Sequence, residues 1–278
     1  MRILILGCGY VGTPLAQKLA ELGHEIHAAR RSPFSLEDAV THQVDVTQRA
    51  SLDSLPREFD WVLLTASSSR GDAAAHRAVF VDGTTHLVNW LGNSSTRVLF
   101  TSSTNVYPQM NGDWVDENSP ETPVKGTALN LAEAENVLME SDIDCTILRV
   151  AGIYGPERGY LYRQFINNEA VLTNKGKRWM NMIHRDDVVG AILTAMNTDP
   201  GIYNAADNEP VTQLHFFEWL AKGLEKPMPP EGEPVALKRA PTNKRVKNNK
   251  LKAAGWALRY PTFREGYKAL ISEERKEL

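Results

Sequence analysis

Short apolar runs alternate with longer stretches of helical periodicity along the first half of the chain. The apolar runs cover residues 2–6, 25–29, 43–46, 61–65, 98–101 and 146–150, and helical patterns cover residues 11–22, 73–91 and 128–139. Strands that are apolar throughout and are followed by helices are typical of parallel sheets covered on both faces. The pattern therefore predicts an α/β fold of Rossmann type, a doubly wound parallel sheet.

The first predicted strand ends in a glycine-rich turn, Gly7-Cys8-Gly9-Tyr10-Val11-Gly12. In a strand–turn–helix unit this G-x-G-x-x-G spacing is typical of dinucleotide binding, because the three glycines turn the chain, admit a pyrophosphate and let the helix pack closely. The amides of Tyr10 and Val11 stand at the positive end of the helix dipole, where phosphates bind. An ordinary glycine-rich turn is the alternative, but the flanking strand and helix favour a dinucleotide site.

The end of the second predicted strand indicates which nicotinamide cofactor binds. An NAD site commonly has Asp or Glu there, whereas this chain has Arg30, Arg31 and Ser32. Guanidinium groups form bidentate, charge-assisted hydrogen bonds with phosphates, so these residues favour the 2′-phosphate of NADP. The alternatives are NAD as the cofactor and solvated arginines without a ligand.

Further cofactor-binding candidates follow the carboxyl ends of other strands, because the crevice of such a sheet opens along that edge. These candidates are Asp45, Val46, Thr65, Ala66, Ser67, Thr101, Ser102 and Ala151. Asp45 fits a turn or N-cap position equally well.

Composition limits the classes of function. The chain of 278 residues carries a net charge of -3, which gives no electrostatic reason for binding nucleic acid or an acidic membrane. No apolar run approaches the ~18 residues of a membrane span, and the N-terminus is a core strand, so we expect a cytoplasmic protein. Its two cysteines are too dispersed for a disulfide framework or a metal site.

The length suits two domains. We predict a dinucleotide-binding domain of residues 1–150 plus 183–200, and a small substrate-binding cap of residues 151–182 plus 201–278. The partner is a small-molecule substrate, and the protein is expected to be a monomer or a homodimer.

Five motifs in order resemble those of one family. They are Ser102-Ser103-x-x-Val106-Tyr107, the stretches 148–156, 183–192 and 201–204, and a C-terminal Gly255-Trp256-x-x-x-Tyr260. Together they resemble the extended short-chain dehydrogenases/reductases, the NAD-dependent epimerase/dehydratase superfamily. The glycine spacing, where most members have G-x-x-G-x-x-G, is similar to that of the atypical, YeeZ-like bacterial branch.

The chain departs from this family at the proton-transfer pair. The resemblance implies a Tyr-x-x-x-Lys motif, but Thr127 stands at the Tyr position and Leu131 at the Lys position. Neither side chain can transfer a proton at neutral pH. Ser103 matches the family's catalytic Ser/Thr and can bond a carbonyl. Tyr107 and Tyr154 are the remaining candidate proton donors, although tyrosines at such places more often pack in the core.

Candidate substrate-binding residues come mainly from the predicted cap. They are Thr127, Arg158, Arg163, Asn181 and Arg245, of which the arginines suit an anionic group. His184 is interpreted as structural, and Asp186 and Asp187 fit the start of a helix. Met180 stands where sugar epimerases of the family commonly carry a diphosphate-binding Arg. The basic run from Lys238 to Lys252 suits either an anion site or a solvated face.

Three functions remain open. The first is an NADP-dependent oxidoreductase that acts on a small carbonyl or sugar-like substrate with a rearranged proton donor. The second is a catalytically silent dinucleotide-binding protein whose cofactor shifts a conformational or partner equilibrium. The third is a nucleotide-sugar epimerase or dehydratase.

Overall fold

The structure is a computed structural model that describes residues 1–68, 72–121, 126–233 and 242–274. Its strands are β1 (Arg2–Leu6), β2 (Glu25–Arg30), β3 (Val40–Gln43), β4 (Trp61–Leu64), β5 (Arg97–Ser103), β6 (Asp113–Val115), β7 (Cys145–Val150), β8 (Gly152–Tyr154), β9 (Trp179–Met180), β10 (Met182–His184), β11 (Gly201–Ala205), β12 (Val211–Thr212) and β13 (Lys244–Val246). Its helices are α1 (Gly12–Glu21), α2 (Arg49–Leu52), α3 (Ala73–Arg77), α4 (Gly83–Leu91), α5 (Thr127–Met139), α6 (Tyr160–Ile166), α7 (Arg185–Ala195), α8 (Gln213–Leu224), α9 (Asn249–Ala253) and α10 (Phe263–Glu274).

The central sheet has seven strands in the order β11-β7-β5-β4-β1-β2-β3, and every neighbouring pair is parallel. Strands β1 and β4 are almost wholly buried, as expected for strands covered by helices on both faces. The strand order reverses between β1 and β4, which is where a ligand crevice opens in such sheets. The predicted Rossmann architecture is confirmed.

The third predicted strand was placed too late in the chain. We expected it over residues 43–46, but β3 covers Val40–Gln43 and pairs with β2 in the register His27↔Val40 to Arg30↔Gln43. After Gln43 only the amide of Val44 continues the pairing, by donating to the carbonyl of Arg30. The buried Val44 and Val46 produced an apolar signal that belongs to the loop after the strand.

The predicted helix over residues 73–91 is interrupted. A π-helical segment, Ala78–Asp82, separates α3 from α4, and it buries Phe80 and Val81. Gly83 follows this segment and lies close to the side chain of Val46, which a Cβ at Gly83 would approach to 3.2 Å.

The cap has a hydrophobic cluster of its own. Its largest members are aromatic residues of α6, α8 and α10, namely Tyr162, Phe165, Phe216, Phe217, Phe263 and Tyr267. The predicted boundary of the cap at residue 201 is wrong, because β11 (Gly201–Ala205) pairs with β7 and forms an edge of the central sheet. Leu251 and Trp256 also pack against the main core.

None of the described helices has both the length and the apolar character that crossing a membrane requires.

Candidate functional site

The glycine turn is built by close backbone packing around Gly7. The amides of Gly7 and Cys8 both donate to the carbonyl of Ala29 at 2.9 Å, which joins the turn to the end of β2. Gly7 has φ +106, and a Cβ on it would lie 2.3 Å from the amide nitrogen of Ala66. A side chain at this position is therefore excluded both by backbone conformation and by contact with Ala66, in the loop after β4.

Gly12 and Gly9 have different environments. A Cβ on Gly12 would lie 2.6 Å from the carbonyl oxygen of Gly7, so Gly12 allows α1 to pack against the turn. A Cβ on Gly9 would approach nothing nearer than the same oxygen at 3.9 Å. The face of Gly9 is therefore open. A pyrophosphate needs such an open face in order to approach the backbone.

Arg30 lies at the carboxyl end of β2 beside this turn. Its Nε and Nη2 donate to the carbonyls of Ser32 and Pro33, and its guanidinium lies 4.3 Å from the ring centroid of Phe34. Burial raises the pKa of the Cys8 thiol, while the Thr13 hydroxyl and the positive charge of Arg30 act in the opposite direction. Arg30 therefore contributes positive potential at the turn, and Arg31 and Ser32 beside it are exposed.

Further predicted cofactor residues lie at the ends of β4, β5 and β7, and three of them donate hydrogen bonds to backbone carbonyls. The Thr65 hydroxyl donates to the carbonyl of Gly7 at 3.0 Å, and the Thr101 hydroxyl donates to that of Leu64 at 3.1 Å. Ala66 lies against Gly7, and Ser67 is exposed. The buried Ala151 donates its amide to the carbonyl of Ala205 on β11.

Asp45 and Val46 have structural roles in the loop after β3. One carboxylate oxygen of Asp45 accepts hydrogen bonds from the amide and the hydroxyl of Thr47, so Asp45 forms a turn, the alternative that the sequence left open. Val46 is 8% exposed, and its carbonyl bonds with His86.

A buried polar network lies behind the carboxyl ends of β5 and β7. Arg149 is fully buried, and its Nε and Nη2 donate to the carboxylate of Glu135, which is 1% exposed. Its Nη2 also contacts Glu121, and its Nη1 donates to the hydroxyl of Tyr107 at 3.0 Å. Ser102 donates to the same Glu135 carboxylate, so this predicted cofactor residue points into the network.

Tyr107 is not placed to transfer a proton to a substrate. Its side chain is fully buried, and its hydroxyl donates to Oδ1 of Asn204 at 2.9 Å. Burial raises the pKa of Tyr107 despite the neighbouring charge of Arg149, so deprotonation is disfavoured. A general acid must reach the reacting group. The interpretation of Tyr107 as a catalytic candidate is therefore corrected to a core residue.

Tyr154 is corrected for the same reason. It is 1% exposed, stacks on Tyr267 with ring centroids 4.3 Å apart, and lies so close to α10 that a Cβ on Gly266 would clash with its hydroxyl oxygen. Burial and the negative charge of Asp207 raise the pKa of Tyr154. Its hydroxyl has no hydrogen-bond partner in the described part of the chain.

Ser103 is the candidate whose hydroxyl lies at the accessible edge. It ends β5, is partly exposed, and its Oγ accepts a hydrogen bond from the amide of Asn105, which fixes the side chain at the start of a 3-10 turn. Thr127 begins α5 and is partly exposed. Leu131, at the position of the family's Lys, is 5% exposed and packs in the main core.

Tyr10 joins the glycine turn to the loop after β8. Its hydroxyl donates to the carbonyl of Pro156 at 2.9 Å, and its ring contacts the guanidinium groups of Arg158 at 4.9 Å and Arg185 at 5.4 Å. Arg158 is therefore brought beside the turn. Arg163 is exposed on α6 and has no such contact in the described structure.

His184 is the N-cap of α7. Its Nδ1 accepts a hydrogen bond from the amide of Asp186, which confirms the structural interpretation. Asp186 and Asp187 lie in the first turn, so the predicted helix start is confirmed. Asp187 instead accepts hydrogen bonds from the amides of Arg259 and Tyr260.

Two predicted substrate residues make structural contacts in or beside β13. Asn181 donates to the carbonyl of Lys244 and accepts from the amide of Val246, so both ends of its side-chain amide are bonded to β13. Arg245 lies between Trp114 and Trp179, 4.9 Å from each ring centroid, and its Nε donates to the carbonyl of Gly112. The role predicted for Asn181 is corrected, because both ends of its side-chain amide are already bonded. The role predicted for Arg245 stays a prediction, since only its Nε is bonded. Lys238 and Arg239 of the basic run lie outside the described residues.

The sequence analysis did not name Arg178, which precedes β9, and it included Lys244, which begins β13, only as a member of the basic run from Lys238 to Lys252. Lys244 is 4% exposed, and its Nζ donates to the hydroxyl of Thr242 at 2.8 Å. Burial and the positive charge of Arg178 lower the pKa of Lys244 to about 8. Only the position of Lys244 within a short β-strand pattern could have indicated that its side chain is buried.

The model of the NAD dependent epimerase/dehydratase family matches residues 3–206, which include the glycine turn and the whole central sheet. The chain belongs to this family. Among curated relatives, this chain is 30% identical to protein YeeZ of Escherichia coli strain K12, over 81% of this chain and 85% of YeeZ. It is 27% identical to a 3-diazoavenalumate denitrifying reductase of a Streptomyces species, over 96% of this chain and 99% of the reductase.

A solved structure supports the same assignment. A protein of Methylobacillus flagellatus, assigned to the NAD-dependent epimerases/dehydratases, superposes with a TM-score of 0.82 at 31% identity, over 99% of this chain and 98% of the other. The UDP-glucose 4-epimerase of Thermotoga maritima superposes with a TM-score of 0.82 at 21% identity, over 100% of this chain and 99% of the epimerase. At that identity the second likeness shows the fold only.

Proposed function

We propose that this family member is an NADP(H)-dependent oxidoreductase that acts on a small carbonyl or sugar-like compound without the Tyr-x-x-x-Lys pair. The observation that carries the proposal is the contrast within the glycine turn. Gly7 and Gly12 are closed by backbone contacts, while the face of Gly9 is open. Residues packed this tightly around one open glycine fit a bound pyrophosphate.

The residues that would hold the cofactor follow from this geometry. The amides of Tyr10 and Val11, which directly precede α1 at the positive end of its dipole, would face the pyrophosphate. Arg30, with Arg31 and Ser32, would bind the 2′-phosphate that distinguishes NADP from NAD. When bound, a nicotinamide cofactor supplies or accepts a hydride.

On the substrate side, Ser103 would donate a hydrogen bond to a carbonyl oxygen at the carboxyl end of β5. Arg158, which contacts the ring of Tyr10, would offer a positive charge beside the glycine turn. The Streptomyces relative is named as a reductase, which supports reductive chemistry for this chain. No described side chain is assigned as the proton donor, so water supplies the proton in this proposal.

A silent cofactor-binding protein is the second candidate, favoured by one specific observation. Leu131 is buried at the Lys position, and both tyrosines that could replace the missing acid are buried as well. In that case cofactor binding would change the affinity for a partner, and no hydride transfer would follow.

We expect NADPH to bind about tenfold more tightly than NADH, because Arg30 and Arg31 add charge-assisted hydrogen bonds to the 2′-phosphate. The double substitution Arg30→Ala, Arg31→Ala should remove this preference and leave NADH binding unchanged. Fluorescence titration of the two reduced cofactors measures both affinities. Arg163→Ala is the control, since Arg163 is an exposed arginine far along the chain from the turn. Equal affinities in the unmodified protein would contradict the choice of NADP.

We expect NADPH to be oxidised in the presence of at least one member of a panel of small aldehydes, ketones and ketoses. With that compound, Ser103→Ala should lower kcat/KM about 100-fold, because it removes a hydrogen bond to the developing oxyanion. Tyr154→Phe is the control and should keep full activity, since the hydroxyl it removes is buried. Tight NADPH binding without turnover of any compound would instead support the silent protein. Re-isolated substrate with inverted stereochemistry would indicate epimerisation.

A further inference from the structure

Arg178 and Lys244 form a pair of cations in the cap that has no counter-ion among the described residues. No carboxylate of the described residues lies within 4.0 Å of the side chains of Arg178 or Lys244. The internal stretches outside the described residues, 69–71, 122–125 and 234–241, contain neither Asp nor Glu. Most buried charges in proteins are paired, because removing an ion from water costs several kcal/mol. This pair therefore needs an explanation.

Burial acts on both groups in the same direction. It lowers the pKa of the Arg178 guanidinium, and it lowers the pKa of the Lys244 ammonium, on which the charge of Arg178 acts as well. The charge of Arg178 thus disfavours the charged form of Lys244. The two residues lie on neighbouring segments, because the side-chain oxygen of Asn243 accepts a hydrogen bond from the amide of Trp179 at 2.9 Å. The Lys244 ammonium has three donors, and the Thr242 hydroxyl accepts from one of them. An anion bound between the two groups would reverse both effects.

The orientation of β13 places Lys244 on the side of the cap that packs against the Rossmann domain. Successive side chains of a strand point to opposite faces, so Lys244 shares a face with Val246, and Arg245 lies on the other face. Val246 is 2% exposed and belongs to the main core, whereas Arg245 lies between Trp114 and Trp179.

The segments that carry the pair are close to strands that follow β5 and β7 in the chain, at the carboxyl ends of the central sheet. Strand β13 pairs with β6, which follows the Ser103–Tyr107 segment at the end of β5. Arg178 precedes β9, and after Asn181 the chain forms β10, which pairs with β8 just beyond the end of β7. Arg178 and Lys244 thus lie on cap segments that are joined, through β10 and β13, to strands β8 and β6, which follow β7 and β5 in the chain.

From these observations we propose that Arg178 and Lys244 form a subsite for an oxyanion of the substrate, a carboxylate or a phosphate group. The proposal rests on the oxidoreductase function and narrows its substrate class to anionic compounds. Arg178 supplies a planar guanidinium that can bind two oxygens, and Lys244 supplies a point charge with two further donors. Arg158, beside the glycine turn, is not part of this subsite.

Isothermal titration calorimetry at constant ionic strength tests the subsite, with the protein saturated with NADPH and with inorganic phosphate and acetate as separate probes. We expect one of these anions to bind to the unmodified protein, and the anion that binds identifies the chemical group. Lys244→Met and Arg178→Met should each weaken its binding about tenfold or more, because each removes a charge-assisted hydrogen bond. Lys177→Met is the matched control, since it removes an exposed charge next to Arg178 and should change nothing.

Thermal unfolding of the same variants separates a ligand site from a structural role. Lys244→Met should raise the Tm of the anion-free protein by roughly 2–4 °C, because it removes a buried and unpaired charge. A structural lysine would show a lower Tm on replacement, and that result would overturn the proposal. So would the absence of binding of both anions, or equal binding by the unmodified protein and Lys244→Met.

The cofactor arm distinguishes failure of this proposal from failure of the oxidoreductase function. NADPH affinity should be the same in the unmodified protein, Lys177→Met and Lys244→Met. If NADPH binds but neither anion does, the subsite is wrong and the cofactor assignment stands. If NADPH fails to bind, the oxidoreductase proposal fails, and the same phosphate and acetate titrations, repeated without NADPH, decide the subsite through their dependence on Lys244.

Discussion

Gly9→Ala is expected to weaken NADPH binding about 100-fold or more while the protein remains as stable as the unmodified chain. The new Cβ would meet no protein atom nearer than 3.9 Å, so the fold loses nothing. It would, however, occupy the open face where a pyrophosphate must approach the backbone. Fluorescence titration with NADPH and thermal unfolding of the same samples measure the two effects separately.

Gly7→Ala should have the opposite result, a severe loss of stability of about 3 kcal/mol or more. Its Cβ would lie 2.3 Å from the amide nitrogen of Ala66, and φ at this position is +106. Gly23→Ala is the matched control, because Gly23 also has a positive φ of +82 but no atom within 4 Å. It should cost only about 1 kcal/mol.

If Gly9→Ala binds NADPH normally, the cofactor site does not lie over this turn.

Arg149→Met is the second substitution for which we expect a large effect, a loss of about 3–5 kcal/mol in the free energy of unfolding. Methionine fills much of the space but leaves Glu135, which is 1% exposed, without its bidentate partner. It also removes the donor to Tyr107 and the contact with Glu121. The midpoint of urea unfolding measures the change.

A second substitution distinguishes charge pairing from loss of packing. Arg149→Met combined with Glu135→Leu removes both charges, so the double variant should be more stable than Arg149→Met alone. Arg163→Met, on the exposed face of α6, should change the free energy of unfolding by less than about 0.5 kcal/mol. A double variant that is less stable than the single one would show that Glu135 stabilises the fold independently of Arg149.

The central sheet and the glycine turn could be predicted because their signals are local. A strand buried on both faces is apolar at every position, and the glycines at 7 and 12 have spacing that close packing requires. Strand β3 was misplaced because the buried valines at 44 and 46 continue the apolar run beyond the last paired residue. Pairing depends on the neighbouring strand, which no window of sequence around residue 44 contains.

The sequence by itself determined the Rossmann class, the position of the turn at residues 7–12, the absence of the Tyr-x-x-x-Lys pair and the structural nature of His184. Only the tertiary structure decided that Tyr107 and Tyr154 are buried, that the amide of Asn181 binds β13, and that Arg178 and Lys244 lack a carboxylate partner in the described chain. The reason is that burial and charge pairing depend on residues far apart in sequence. Tyr107 meets Asn204 across 97 positions, a contact that no local pattern encodes.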